Sequence, residues 1–205
     1  MEVRIRNDSV EIEGYVNAVE RKSKPLRSRI GKFIEKISKG AFQRALTRND
    51  DVRLLLNHSW ERDLGGTKDG TLELHEDNIG LHARAVITDK EVIEKARNGD
   101  LVGWSFGFTD VDVDPGSENG VIVRNVNDLD LQEVSILDRS RIPAYDGTLL
   151  NVRSDDNCVY YGEAMLADVN TSVDEPPKQE EPPKPIDYSK YETMIREMKE
   201  GAYSV

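Results

Sequence analysis

The stretch LVGWSFGF, Leu101 to Phe108, contains a literal G-x-S-x-G with Ser105 between Gly103 and Gly107. A serine hydroxyl attacks a carbonyl only when a neighbouring base takes its proton and a third group orients that base. The chain has three histidines, His58, His75 and His82, and all of them precede Ser105. This order excludes the nucleophile elbow of the α/β-hydrolases, which needs a strand–serine–helix turn and the order serine, acid, histidine. The residues after Phe108, TDVDVDPGSENG, do not read as a helix either. A histidine-before-serine arrangement is left. His58 closes the apolar run VRLLLNH and precedes the polar SWERDLGG, so its ring can be held at a strand end facing a cleft. A half-buried surface histidine is the alternative. His75 lies among Glu73, Glu76 and Asp77 and reads as a solvated strand residue. The set His75, Glu76 and His82 matches no metal-site spacing.

These residues need elements to hold them. Residues 10–19 alternate apolar and polar as a half-buried strand does. GKFIEKISKGAFQRAL ends in a short helix with Phe42 and Leu46 four apart. VRLLLNH reads as a buried strand ending at His58, and TLELHED and GLHARAVI as two strands joined around Asn78-Ile79-Gly80. The strongest helix is residues 88–100, with Thr88 as candidate N-cap, Val92, Ile93 and Ala96 on one face, and Gly99 at the stop. LVGWSFGFTDVDV, GVIVRNV and LDLQEVSIL then read as strands. On the first of them Trp104 and Phe106 alternate with Ser105, so they point to the opposite face and belong to the core. Gly103 and Gly107 allow close backbone approach, as an extended substrate would require. One good helix within a series of strands predicts a β-rich α+β domain, a small closed β-barrel with flanking helices.

Composition separates three segments. The chain is 205 residues long, 37% hydrophobic and 33% charged, which predicts that part of it is unpacked. Residues 1–153 carry 23 basic and 27 acidic side chains, and residues 154–205 carry 5 and 12. The expected organisation is a folded domain at 1–153, an acidic Pro/Glu-rich linker at 154–186, and a short amphipathic helix at 187–205 that is either a docking segment or a frayed tail. Tyr188, Tyr191, Met194, Ile195 and Met198 recur at helical spacing there, in a C-terminal tail otherwise expected to be disordered. The net charge of −11 argues against a general nucleic-acid binder, although residues 21–48 hold ten Lys or Arg against Glu35 alone and read as a solvated surface or a contact for an acidic partner or RNA. The single cysteine, Cys158, excludes an intramolecular disulfide and a multi-cysteine metal site. With no apolar leader and no run of membrane-spanning length, a protein kept in a reducing cytoplasm is expected.

Four blocks in one order carry a resemblance: G-x-F-x-E-x-I-x-x-G-A-F from Gly31 to Phe42, Asn57-His58 with Leu64-Gly65, Ser105 to Phe108, and Glu133 to Leu137 with Pro143-Ala144. Over residues 10–153 the sequence resembles the prohead, or capsid maturation, proteases of tailed phages, which are similar to the herpesvirus assemblins. The resemblance implies a serine endopeptidase with Ser105 as nucleophile and His58 as general base. The assemblin third member is a second histidine after the serine, and no histidine follows here. The family pattern puts Glu133 in that place. A carboxylate in the apolar run LQEVSIL needs a partner, either an imidazole N–H or an arginine such as Arg124. Arg139 or Arg141 is implied as an oxyanion contributor. The implied substrates and partners are the major capsid protein and scaffold of the phage, with a homodimer or higher oligomer of the chain itself. The implied setting is the immature capsid in the host cytoplasm, with no cofactor, no membrane and no specific nucleic acid. A capsid-assembly factor that keeps the fold without activity is the competing reading, and the intact His58, Ser105 and Glu133 favour the enzyme.

Overall fold

Residues up to Ile37 supply four strands, β1 (Glu2–Ile5), β2 (Val10–Ala18), β3 (Leu26–Ser28) and β4 (Gly31–Ile37). Helix α1 (Ala41–Arg48) follows, then hairpins β5 (Arg53–Leu56)–β6 (Ser59–Gly66) and β7 (Leu72–Glu76)–β8 (Gly80–Ile87), and helix α2 (Lys90–Arg97). A long hairpin, β9 (Leu101–Glu118)–β10 (Val121–Asp138), precedes three short strands, β11 (Val159–Tyr161), β12 (Met165–Leu166) and β13 (Asn170–Val173). This computed structural model describes residues 1–28, 31–141, 159–161, 165–166, 169–174 and 194–196. The chain divides into units Met1–Asp174 and Glu175–Val205. In the second unit, residues 194–196 are helical with Met194 and Ile195 half exposed. The remainder of the helix expected at 187–205 lies outside the described residues.

The strands of the first unit form two sheets. One has the order β13-β1-β2-β8-β7, and the other β11-β9-β10-β4-β3, with β12 on β9 and with β5 and then β6 on β10. Both sheets and both helices contribute to one apolar core, which includes Ile12, Phe42, Leu81, Val92, Trp104, Phe106 and Leu129. The expected β-rich α+β architecture is present, but the closed barrel is not. Among the described residues no ladder joins the two sheets. Closure needs the last free edge to meet the first at a consistent tilt and stagger. Here β9 and β10 use one another along almost their whole length, and β13 takes the edge of β1. Period-two patterning reveals which side chains point inward; it carries no information on which edges meet.

Local chemistry accounts for the hairpins and helices. β9 turns into β10 through Asn119 and Gly120, both at positive φ (49° and 78°), as a two-residue Asn-Gly hairpin requires. Asp89, not Thr88, caps α2: its carboxylate accepts the Val92 N–H at 3.0 Å. Val92, Ile93 and Ala96 are buried as the periodicity predicts. α1 begins at Gly40, which has no side chain to cap with, and Glu76 from β7 accepts the Gly40 and Gln43 N–H groups at 2.6 and 2.7 Å. Glu76 is thereby committed to a helix start, while the rings of His75 and His82 lie 4.9 Å apart on neighbouring strands.

Strands continue past residue 153 into the segment expected as linker. The four residues of β13 are exposed, and the strand is held by parallel backbone pairing to β1, with Asn170 N–H donating to the Met1 carbonyl at 3.1 Å and Asp174 N–H to that of Ile5 at 2.9 Å. Pairing along a sheet edge uses main-chain groups, so an apolar-poor sequence can join a sheet without contributing to a core.

One buried acid gives the domain a pH signature. Glu35 on β4 lies 3.3 Å from the Arg124 guanidinium, which Asp110 shares. Burial pushes the Glu35 carboxyl up to about 7, against the pull of Arg124 and with a further push from Asp110. A raised folded-state value means that the native form holds the proton more tightly than the unfolded chain does. This contribution to stability is full below about pH 4.5 and is lost as the pH rises through about 7. Thermal melts between pH 5 and 8 should therefore show Glu35→Gln gaining on wild type as the pH rises, by an amount on the order of 3 kcal/mol.

Candidate active site

Strand β10 lies between the two strands that carry the candidate residues. Its one edge pairs antiparallel with β9, matching Ser135 to Ser105 and Glu133 to Gly107. Its other edge pairs parallel with β5, matching Ser135 to Leu55 and Ile136 to Leu56. Directly opposed residues of an antiparallel pair share a face, with Cα atoms roughly 4.5–5.5 Å apart. Ser105, Gly107, Glu133 and Ser135 therefore line one face, which is polar and buried, and Trp104, Phe106, Val134 and Ile136 fill the other, apolar side. Phe106 packs edge-on to Phe42 at 5.2 Å. The assignment of Trp104 and Phe106 to the core follows directly from the alternation.

His58 does not end a strand, as the apolar run suggested, but occupies the turn of the β5–β6 hairpin. Leu56 pairs with Ser59, and Asn57 and His58 between them both have φ of 58°. A two-residue loop with both residues left-handed is the type I′ arrangement, in which the second position usually belongs to glycine. A histidine there costs on the order of 1 kcal/mol. Hydrogen bonds hold it in place. The Asn57 N–H donates to the Ile136 carbonyl at 2.9 Å and the His58 N–H to Ser135 Oγ at 3.0 Å. Asn57 Oδ1 accepts the Asp138 N–H at 3.0 Å. Burial pushes the Asp138 carboxyl up, but bonds from Ser140, Lys95 and Asn57 outweigh it and hold it at about 2. The turn is thus fastened to the end of β10.

The fastening brings His58 Nδ1 to 2.7 Å from Glu133 Oε1. Glu133 is 1% exposed, and its other oxygen accepts the Ser135 hydroxyl at 2.5 Å. A carboxylate oxygen at this distance is the natural acceptor for an imidazole N–H, and the tautomer that donates from Nδ1 makes Nε2 the basic nitrogen. The alternative partner, Arg124, is engaged elsewhere, with Glu35 and Asp110. Ser105 is itself 2% exposed.

The second glycine of G-x-S-x-G has a specific reason to be glycine. A Cβ on Gly107 would lie 2.6 Å from Glu133 Oε1, so the carboxylate occupies the space a side chain would need. The oxyanion candidates fare differently. Arg139 is 65% exposed, and its guanidinium donates to the Gly99 carbonyl beyond α2 at 3.0 and 3.2 Å. The side chain of Arg141 lies outside the described residues. Sequence reasoning missed Ser135 and the Asn57-His58 turn. The signals available were the i, i+2 spacing of Glu133 and Ser135 and an Asn-His pair where Asn-Gly would be ordinary. Gly107→Ala should push the carboxylate off the imidazole, lowering any Ser105-dependent cleavage about 100-fold, while melts show a stability loss of about 1–3 kcal/mol.

Residues 1–158 match the family described as Caudovirus prohead serine protease. No curated protein and no solved structure matches the chain in the same comparisons. With three quarters of its length covered by that match, and with a histidine–carboxylate pair beside the serine strand, the chain belongs to the prohead serine protease family of tailed phages.

Proposed function

We propose that the chain is a serine endopeptidase that cuts scaffold and capsid-protein segments inside the immature phage shell, with Ser105 as nucleophile, His58 as general base and Glu133 as its orienting acid. The observation that carries this reading is the 2.7 Å contact between His58 Nδ1 and the buried Glu133, on the strand directly paired with that of Ser105. Ser105 Oγ attacks the peptide carbonyl while its proton passes to His58 Nε2. The imidazolium, steadied by Glu133, then protonates the leaving amine, and water hydrolyses the acyl-enzyme by the reverse use of the same base. No step calls for a cofactor.

The same reading extends to the chain's own C-terminal segment as a substrate. On the β9 edge away from β10, Tyr161 is paired with Gly107 and Met165 with Trp104, so the chain runs antiparallel along the nucleophile strand on both sides of Ser105. An extended peptide added to a sheet edge is a common way to present a backbone to a site. A scaffold or capsid segment would take the same edge, in competition with β11 and β12, and the burial of Ser105 fits a site whose edge is already taken. Activity would then depend on the local concentration of competing chains inside the shell.

Co-expression with the major capsid and scaffold proteins of the same phage, wild type against Ser105→Ala, tests the assignment. Wild type should give cleaved capsid or scaffold bands and, by mass spectrometry, a cut between Tyr161 and Met165; Ser105→Ala should give neither. Identical cleavage by both forms would remove Ser105 from the site, and intact partners with both would favour an assembly factor.

A further inference from the structure

Ser135 has no part in the mechanism above, yet its hydroxyl touches two of the groups that matter. It is fully buried, donates to Glu133 Oε2 at 2.5 Å and accepts the His58 backbone N–H at 3.0 Å. Each contact meets a separate need. The second oxygen of a carboxylate that is 1% exposed would otherwise stand desolvated, at the cost of an unmade hydrogen bond to a charged group. The amide of His58 sits in a left-handed turn whose strain has to be compensated. One oxygen atom thus ties the backbone of the base to the side chain of the acid that orients it.

We propose that Ser135 is a positioning residue of this site. Its O–H fixes the Glu133 carboxylate, and its lone pair fixes the height of the His58 backbone over β10. Both ends of the Nδ1–Oε1 contact are then set from one point, as outer-shell partners fix the orientation of metal-bound imidazoles. Ser135 is not itself the nucleophile, because its hydrogen is committed to Glu133 and its oxygen to the His58 amide. Register reinforces the assignment: Ser135 stands directly opposite Ser105, so whatever it fixes is fixed relative to the nucleophile strand. The consequence for catalysis rests on the function proposed above; the consequence for the geometry of His58 does not.

The test uses the full chain with ¹⁵N-labelled histidine, in which His75 and His82 serve as internal reporters of folding. In wild type the ring nitrogens of neutral His58 should show the Nδ1–H form with a low-field proton. In Ser135→Ala that proton should be lost or move upfield while the His75 and His82 signals stay in place. Ser135→Cys fills the same space with a weak donor and should behave as Ser135→Ala does, which separates loss of the hydrogen bond from loss of volume. Cleavage of co-expressed capsid and scaffold proteins should fall about 10- to 100-fold in both variants. An unchanged His58 signature in both overturns the inference, whatever happens to cleavage. A lost signature together with no cleavage even by wild type supports the positioning role and overturns the proposed function instead.

Discussion

A carboxylate buried in the middle of a central strand has to be satisfied by its neighbours, and the arrangement around Glu133 follows from that requirement. Its two oxygens face His58 Nδ1 and the Ser135 hydroxyl. Its bulk takes the space beside Gly107. Leaving such a group unpaired costs several kcal/mol, so the fold gains when the hairpin carrying His58 bends over β10 to meet it. The contact proposed to orient the base is thereby also a contact the domain needs for its own stability.

β10 is the member shared by everything else. Along one edge it pairs with β9, which carries Ser105; along the other it pairs first with β4 and then with β5, whose hairpin turn delivers His58. Three adjacent strands therefore set the lateral spacing of the site, at roughly 4.8 Å per step, and the buried row of Trp104, Phe106 and Phe108 fixes which way each strand faces. The strained Asn57-His58 turn is the irregular piece. It departs from ordinary turn chemistry at the position of the proposed base, and it is fastened by Ile136, Ser135 and Asp138 within three residues of the strand end.

Much of this was legible beforehand. Period-two alternation separated Ser105 from Trp104 and Phe106, and a lone glutamate in LQEVSIL demanded a partner. The order of histidines and serine excluded the hydrolase elbow. What could not be read were relations between strands. Nothing local in Gly107 says that a carboxylate from the next strand lies over it, and Ser135 is an unremarkable serine until its register with Ser105 is known. The closed barrel failed for the same reason, since alternation assigns faces but leaves edges free. The pairing of β11, β12 and β13 escaped because backbone addition leaves no apolar signature. Thr88 gave way to Asp89 as helix cap because neighbouring residues of similar capping ability are separated only by geometry.

The orientation of His58 by Glu133 is best tested with Glu133→Gln, assayed for cleavage of co-expressed capsid and scaffold proteins. Glutamine keeps the size and one acceptor but removes the charge and lets the amide favour the wrong tautomer. In the serine-protease template the equivalent amide substitution leaves the geometry intact and lowers turnover about 10⁴-fold. A folded Glu133→Gln protein that cleaves at least about a thousandfold more slowly is the predicted result. Cleavage within a few-fold of wild type would contradict the account, because the buried carboxylate would then be holding the turn and not the base.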